Sequence, residues 1–463
     1  MPPIEAAASP DATSRQPWLD AAHVAHRAGK LDEAARCYRL ALTAGEDTAT
    51  GWNDLGVALR ASGRPAAAAA SYRRALAAEP GSAETWSNLG NALKDLGRPD
   101  EAIDCHLRAT ALAPEDPHAA CLAGVDLRQS GRSAEALSHF DRALAAAPGD
   151  ANLEFERGLT LIQLGRWRAG FEGYERRFEL GFLERRSHGA PVWDGAPLAG
   201  RRLLVVTEQG HGDAIQFARF LPRLKAMAAG PIQVECLPNL KRLFQTIDPG
   251  IQVVSTDETP AAHDLEVPMM SLARRLGVSA DEPPAATPYL RAPPGTRPAL
   301  GPRDGRPRVG VVWAGKRQPR DRSCPFDRFL GLVETPDIAF YSLQRGPEID
   351  DIHAHGATGL VADLGAKLGD FADDAAVVGE LDLVVSIDTA MCHLSAALGR
   401  PTWTLLTYPH EWRFGEGVDI CPWHPTMRLF RMARPDDWTG VISAARDALD
   451  AWAAEWRRRA DAT

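Results

Sequence analysis

A fixed register of 34 residues runs through the first third of this chain, and it constrains the fold more than any other feature. Trp18, Trp52 and Trp86 stand one step apart. The same phase is kept by Gly56, Gly90, Gly124 and Gly158, by Gly29, Gly63, Gly97, Gly131 and Gly165, and by Ala34, Ala68, Ala102 and Ala136. Tyr38, Tyr72, His106, Phe140 and Tyr174 follow it too, as do Pro80, Pro114 and Pro148. Such a register predicts stacked helix pairs, each able to bury its apolar face only on its neighbour. Small residues such as Gly56 and Ala68 mark close helix crossings. Gly63 and its equivalents suit a left-handed turn between helices. The prolines stop each second helix.

The pattern resembles the tetratricopeptide repeat, in which two antiparallel helices form each unit. Five repeats are expected, starting near residues 18, 52, 86, 120 and 154, the last of them degenerate (GFEGYERRFEL). The recurrent Trp, Leu and Tyr read as core rather than as a cofactor box. The concave face, lined by first helices, is the expected partner surface, with Asn53, Asn88, Asn91 and Asn152 set to hydrogen-bond an extended peptide. The same asparagines would be equally at home in water.

Bulk properties narrow the partners. A formal net charge of −9 argues against a protein that tracks nucleic acid or an anionic membrane, while leaving room for a local basic pocket. The seven cysteines are far apart, with no Cys-x-x-Cys pair and an odd total, so neither a disulfide framework nor a zinc knuckle is indicated. The start, MPPIEAAASPDATSRQ, lacks a basic opening and an apolar core, and no later stretch is apolar enough for a spanning helix. A cytoplasmic protein with a disordered segment 1–16 and no integral membrane segment is the expectation.

After residue 190 the texture changes to short β-rich runs alternating with helices, the mark of α/β units around parallel sheets. RRLLVV (201–206), PIQVECL (231–237), IQVV (251–254) and DLEVP (264–268) read as strands of a first Rossmann-like unit. RVGVVWA (308–314), IAFYSLQ (338–344), LDLVVSI (381–387) and PTWTLL (401–406) supply a second. The expected organisation is repeats over 17–187, a first α/β half over 198–282, a Pro-rich linker over 283–307, a second half over 308–435 and a terminal helix over 436–463. Two such halves create a cleft at the carboxyl ends of their strands, where α/β sheets place ligands.

Two candidate sites stand at those ends. In VVTEQGHGDAIQFARFLP a strand runs into Glu208, Gln209, Gly210, His211 and Gly212, and then a helix. Asp213 there reads as a helix cap or as a working carboxylate. In LDLVVSIDTAMCHLSAALGRPTWTLL a strand ends in Asp388-Thr389, and His393 lies one turn inside the helix that follows. The i to i+4 step puts Thr389 and His393 on one face near the positive end of the helix dipole, which attracts phosphate. His353 and His355 form a His-x-His with no third ligand nearby, and no Asp-x-Asp occurs, so no metal site is expected.

From about 200 to 435 these stretches, with VGVVWAGK, FYSLQRG, DLGAKLGDFADDAAVVGELDLVVSIDTAMCHLSAALGRPTWTLL and CPWHPTMRLFR, resemble the heptosyltransferase-like glycosyltransferases, in particular a bacterial branch preceded by tetratricopeptide repeats. The resemblance implies a GT-B fold, inversion at the sugar carbon and no metal or other cofactor, the nucleotide sugar being a substrate. It implies that Asp213 is the general base and that Asp388, Thr389, Ala390 and His393 cradle the donor diphosphate. Lys316, Arg317 and Arg322 are alternatives for the cation that neutralises the leaving nucleotide, and Gln344 is expected to line the nucleotide pocket. Many members have glycine where this chain has Ala390.

The fold class expected is therefore α + α/β: a tetratricopeptide solenoid followed by a GT-B fold of two Rossmann-like units. The function expected is transfer of a sugar from a nucleotide sugar to a protein held by the repeats, such as flagellin or another surface protein. The alternative is an interaction scaffold whose GT-B domain has lost turnover.

Overall fold

The computed structural model describes residues 15–45, 48–181, 183, 185–280, 287–296, 300–317 and 320–460. Most of the segment expected to be disordered, 1–14, and parts of the Pro-rich linker, 281–286 and 297–299, lie outside the described residues. The chain divides into two compact units, Met1–Arg157 and Gly158–Thr463.

The first unit is built from antiparallel helix pairs: α1 (Arg15–Arg27) with α2 (Leu31–Thr43), α3 (Ala49–Ala61) with α4 (Pro65–Ala78), α5 (Ala83–Asp95) with α6 (Pro99–Leu112), and α7 (Pro117–Gln129) with α8 (Ser133–Ala146). α9 (Ala151–Gln163) begins in it and ends in the second unit. Local chemistry sets these limits. Thr48, Ser82 and Asp116 cap the starts of α3, α5 and α7 by accepting from the backbone N–H of Gly51, Thr85 and His118. Gly63, Gly97 and Gly131 turn the chain within each pair at φ 76°, 70° and 79°, values that cost glycine nothing. The phased Gly56 and Gly124 have a packing reason: a Cβ there would sit 2.5 Å from the ring of Tyr72 and 2.7 Å from that of Phe140. His106 takes the same phase as Tyr72 and Phe140, and its buried ring bonds Asp126 at 2.7 Å, while Lys94 reaches the other carboxylate oxygen at 2.5 Å.

The second unit opens with the end of α9, then α10 (Trp167–Tyr174) and a 3-10 turn, Glu175–Phe178. Placement of the fifth repeat thus differs from the expectation of one array to residue 187: the break between compact units falls inside its first helix. The reason is the aromatic face of α10. Trp167 stacks on Trp423 at 4.4 Å, and Phe171 meets Phe217, Trp412 and Trp423, all within the α/β unit.

Two fully parallel sheets follow. β1 (Leu203–Val206), β2 (Ile232–Cys236), β3 (Ile251–Ser255) and β4 (Leu265–Pro268) form the first, in the order β3-β2-β1-β4. β5 (Arg308–Val312), β6 (Ala339–Ser342), β7 (Val361–Asp363), β8 (Leu383–Ile387), β9 (Thr402–Leu406) and β10 (Met427–Arg431) form the second, in the order β10-β9-β8-β5-β6-β7. The short β7 and the edge strand β10 were not among the strands expected from sequence. Helices α11 (His211–Phe217), α12 (Leu221–Met227), α13 (Lys241–Phe244) and α14 (Leu272–Arg275) go with the first sheet, and α15 (Phe326–Val333), α16 (Asp351–Ala354), α17 (Phe371–Gly379), α18 (Ala390–Ala397) and α19 (Trp438–Ala460) with the second. Near-continuous burial along β1, β2, β5, β8 and β9 is what parallel strands covered on both faces require. In the first sheet the order reverses at β1, and in the second at β5 and β8. Ligands of open α/β sheets bind at such reversals, beyond the carboxyl ends of the strands. The solenoid followed by a two-sheet α/β unit is the fold class expected.

Among the described residues no helix is long and apolar enough to cross a membrane.

Candidate active site

One cleft is lined from both reversals: Gly210, His211, Gly212 and Asp213 come from the first sheet, and Gly315, Lys316, Arg322, Asp388, Thr389, Ala390 and His393 from the second. The helix starts of α11 and α18 nearly touch. A Cβ on Gly212 would stand 3.1 Å from His393 Cδ2 and 3.5 Å from Ala390 Cα, which is why a residue without a side chain belongs there. Ala390 contributes its backbone to this contact.

Asp213 is not the N-cap of α11. Gly210 holds that position, and Asp213, three residues on, reaches back so that Oδ2 accepts from the Gly210 N–H at 3.1 Å. Its Oδ1 accepts from the guanidinium of Arg413, which crosses from the second half. Arg413 had no part in the sequence reading, because only the fold brings it to a carboxylate 200 residues away. Burial by itself would weaken its hold on the proton, but Asp213, then Glu411 and Asp388, outweigh burial and keep it charged.

On the facing side, Thr389 caps α18 by accepting from the Met391 N–H at 3.3 Å and is itself steadied by Ser386 Oγ at 3.0 Å. Asp388, buried, accepts from Arg322 Nη1 at 2.7 Å. The three cations left open by the sequence are thereby separated. Arg322 is bound to Asp388, Lys316 lines the cleft, and Arg317 points away to Glu348 at 3.5 Å with its side chain 74% exposed. His393 is buried, with no hydrogen-bond partner for Nδ1 among the described residues, and its ring is stacked on Phe414. Burial first, then the charges of Arg413, Arg219 and Arg322, hold its pKa well below the ordinary histidine value, so the imidazole is neutral near pH 7.

One expectation is corrected. Glu208 and Gln209 do not face the cleft: Glu208 is buried against Arg177, and Gln209 donates to the Tyr174 hydroxyl at 2.9 Å. The backbone turns between Gln209 and Gly210, so only the second part of the glycine loop reaches the site. Gln344 lines the cleft as expected, with its amide bonded to backbone: Oε1 accepts from the Ala314 and Trp313 N–H groups, and Nε2 donates to the Ala314 and Arg345 carbonyls. It shapes the turn after β5. In the first unit, Asn88 donates to Asn53 at 3.0 Å and Asn53 to Glu84 at 3.3 Å, forming a side-chain ladder, while Asn91 is half-buried.

Asp388, Cys392 and His393 bring one ligand-type atom each within 4.8 Å of one another. As a donor set they suit a metal poorly. Arg322 already neutralises Asp388, the Cys392 thiol donates to the Thr389 carbonyl, and burial pushes that thiol far from the thiolate a metal needs.

Two parallel sheets whose strand ends share one cleft, with a carboxylate on one side and a helix start on the other, are consistent with a GT-B fold. Comparison with known proteins gives the same class: residues 348–437 match the glycosyltransferase family 9 (heptosyltransferase) model, and residues 19–83 and 81–149 match tetratricopeptide repeat models. The chain thus resembles tetratricopeptide repeat proteins over its first helices and the heptosyltransferase family over part of its second sheet. The matched stretch carries Asp388, Thr389, His393 and Arg413, whereas Asp213 precedes it. The chain is similar to Protein FlbA of Caulobacter vibrioides, 28% identical over 319 residues, which is 62% of this chain and 52% of that protein. It therefore spans about half the length of the curated relative it matches. Among solved structures, MamA protein is 21% identical with a TM-score of 0.33 over 37% of this chain and 98% of its own. YrrB, described as a TPR protein with an unusual peptide-binding site, is 24% identical with a TM-score of 0.32 over 36% of this chain and 87% of its own.

Proposed function

We propose that the second unit transfers a sugar, with inversion, from a nucleotide sugar to an acceptor hydroxyl or similar nucleophile, and that the acceptor is a protein presented by the repeats, such as flagellin or another surface protein. The observation that carries this reading is the meeting of the α11 and α18 starts, which sets Asp213 and the donor-type helix end with His393 in one cleft. In the step envisaged, the acceptor oxygen attacks the anomeric carbon while its proton passes to the Asp213 carboxylate. The bond to the diphosphate breaks, and its electron pair leaves with the nucleoside diphosphate. In this reading the amides at the start of α18, with Arg322 and Lys316, take up that charge, the work a divalent ion does in metal-dependent architectures. Lys316 in the cleft, beside the helix start of α18, supports an anionic ligand in a chain of net charge −9. The repeat fold supports a protein partner.

The test has two parts. A thermal-shift panel of ADP, UDP, GDP and CMP and their sugars should raise the melting temperature with at least one series. Asp213→Asn should keep that response while transfer falls by about 100-fold or more. Retained transfer in Asp213→Asn would overturn the assignment of the base, and a silent panel would leave the repeats, as a scaffold, to account for the protein.

A further inference from the structure

We propose that Arg413 is a positioning residue for this reaction, holding the carboxylate of Asp213 toward the donor side of the cleft. The inference rests on the transfer reading above and goes beyond it by naming the group that orients the base.

Three observations carry it. First, the bond from Arg413 Nη2 to Asp213 Oδ1 joins the two halves of the α/β unit, and with the Gly210 N–H on Oδ2 it leaves the carboxylate plane fixed by two donors. Second, Arg413 is itself held on both sides along the chain. Trp412 packs against Phe171 and Tyr174 at 6.3 Å and 5.6 Å, and Phe414 lies nearly parallel to His393. Third, the Arg413 side chain is 10% exposed yet borders the cleft, so its cation is aimed inward rather than solvated. A planar guanidinium suits this work because its donors keep a fixed geometry, whereas a lysine ammonium rotates freely. During transfer the acceptor proton goes to Asp213, the anomeric carbon gains the acceptor oxygen, and the diphosphate departs with the electron pair. Arg413 exchanges nothing and sets only the angle at which the carboxylate meets the proton.

The experiment measures release of nucleoside diphosphate from whichever ADP-, UDP- or GDP-sugar the parent protein turns over, together with calorimetric affinity for the matching nucleoside diphosphate. Arg413→Gln should lower kcat by about 100-fold while nucleoside diphosphate affinity stays within about threefold. Arg413→Lys should recover part of the loss. Guanidinium ion at millimolar concentration should rescue an Arg413→Ala variant. In an Asp213→Asn background the Arg413→Gln change should cost almost nothing more, because the group it orients is gone. Full kcat in Arg413→Gln, or a full additional loss in the Asp213→Asn background, overturns the proposal while leaving the transfer reading intact. If Arg413→Gln does not fold, the lysine variant and the rescue decide: no recovery in either counts against it. A parent protein that turns over none of the sugars fails the transfer reading itself, and this inference with it.

Discussion

The guanidinium of Arg177 and the carboxylate of Glu208 form an ion pair shut away from solvent, 2.6 Å apart, with side chains 1% and 2% exposed. Arg177 also bonds Glu175, Ser271 and the Tyr174 carbonyl, so the segment after α10 is tied to the loop that leads into α11.

Breaking this pair from one side is expected to be costly, because it leaves a buried charge without its counter-ion. Arg177→Met should lose about 3–5 kcal/mol of stability, read as the shift in a urea or thermal unfolding midpoint. A loss below about 1 kcal/mol would mean that the pair behaves as an exposed one.

Its pH dependence has a definite sign. Burial pushes Glu208 from its ordinary 4.5 up to about 7, against the pull of Arg177. Between those values the folded protein keeps a proton that the unfolded chain has released, so this group's contribution to stability is complete at the acidic end and falls as pH rises toward 7. Glu208→Gln should remove that share of the slope when melting temperature is followed across the same window. An identical slope in parent and variant would contradict the assignment.

Arg322 and Arg317 were indistinguishable in the string GKRQPRDRS and are now opposites. Arg322→Gln should weaken binding of the responsive nucleoside diphosphate by about 10- to 100-fold, whereas Arg317→Gln, at an exposed position, should leave it within about twofold. Isothermal titration of both variants checks the contrast, and equal effects would refute it.

In the repeats, Asp126 is buried, and burial raises its pKa; the bond from His106 and the charge of Lys94 outweigh this and leave it below its ordinary 3.8. A depressed carboxylate contributes stability that is present above the unfolded value and lost as pH falls through the folded one. Acid unfolding of the helical signal below about pH 4 should therefore be less steep in Asp126→Asn, which should already be less stable than the parent at pH 7. A variant as stable as the parent at pH 7 would show that the Asp126 contacts with His106 and Lys94 contribute nothing.

How much of this was legible beforehand follows from the range of the interactions. The solenoid was readable because each repeat solves the same local packing problem, so Gly56, Gly90 and Gly124 recur in phase with the rings they accommodate. The α18 start was readable because cap, dipole and His393 are encoded within a few residues. Arg413 and Arg177 were not, since each finds its carboxylate only after the chain has folded across 200 and 31 residues. Glu208 and Gln209 were misplaced because closeness in sequence to a glycine turn says nothing about which side of that turn a side chain takes. Gln344 was placed at the right location, but its amide went to neighbouring backbone groups that no motif records.

The aromatic face of α10 has a practical meaning for anyone dividing this protein. Sequence heritage marks the fifth helical hairpin as the last member of a series, yet Trp167, Phe171 and Tyr174 make it part of the wall around Trp412 and Trp423. Cutting at the first β-strand would peel that wall off and bare the indoles behind it. Repeat register and compact unit do not share a border here, and an isolated α/β fragment has to start no later than Gly158.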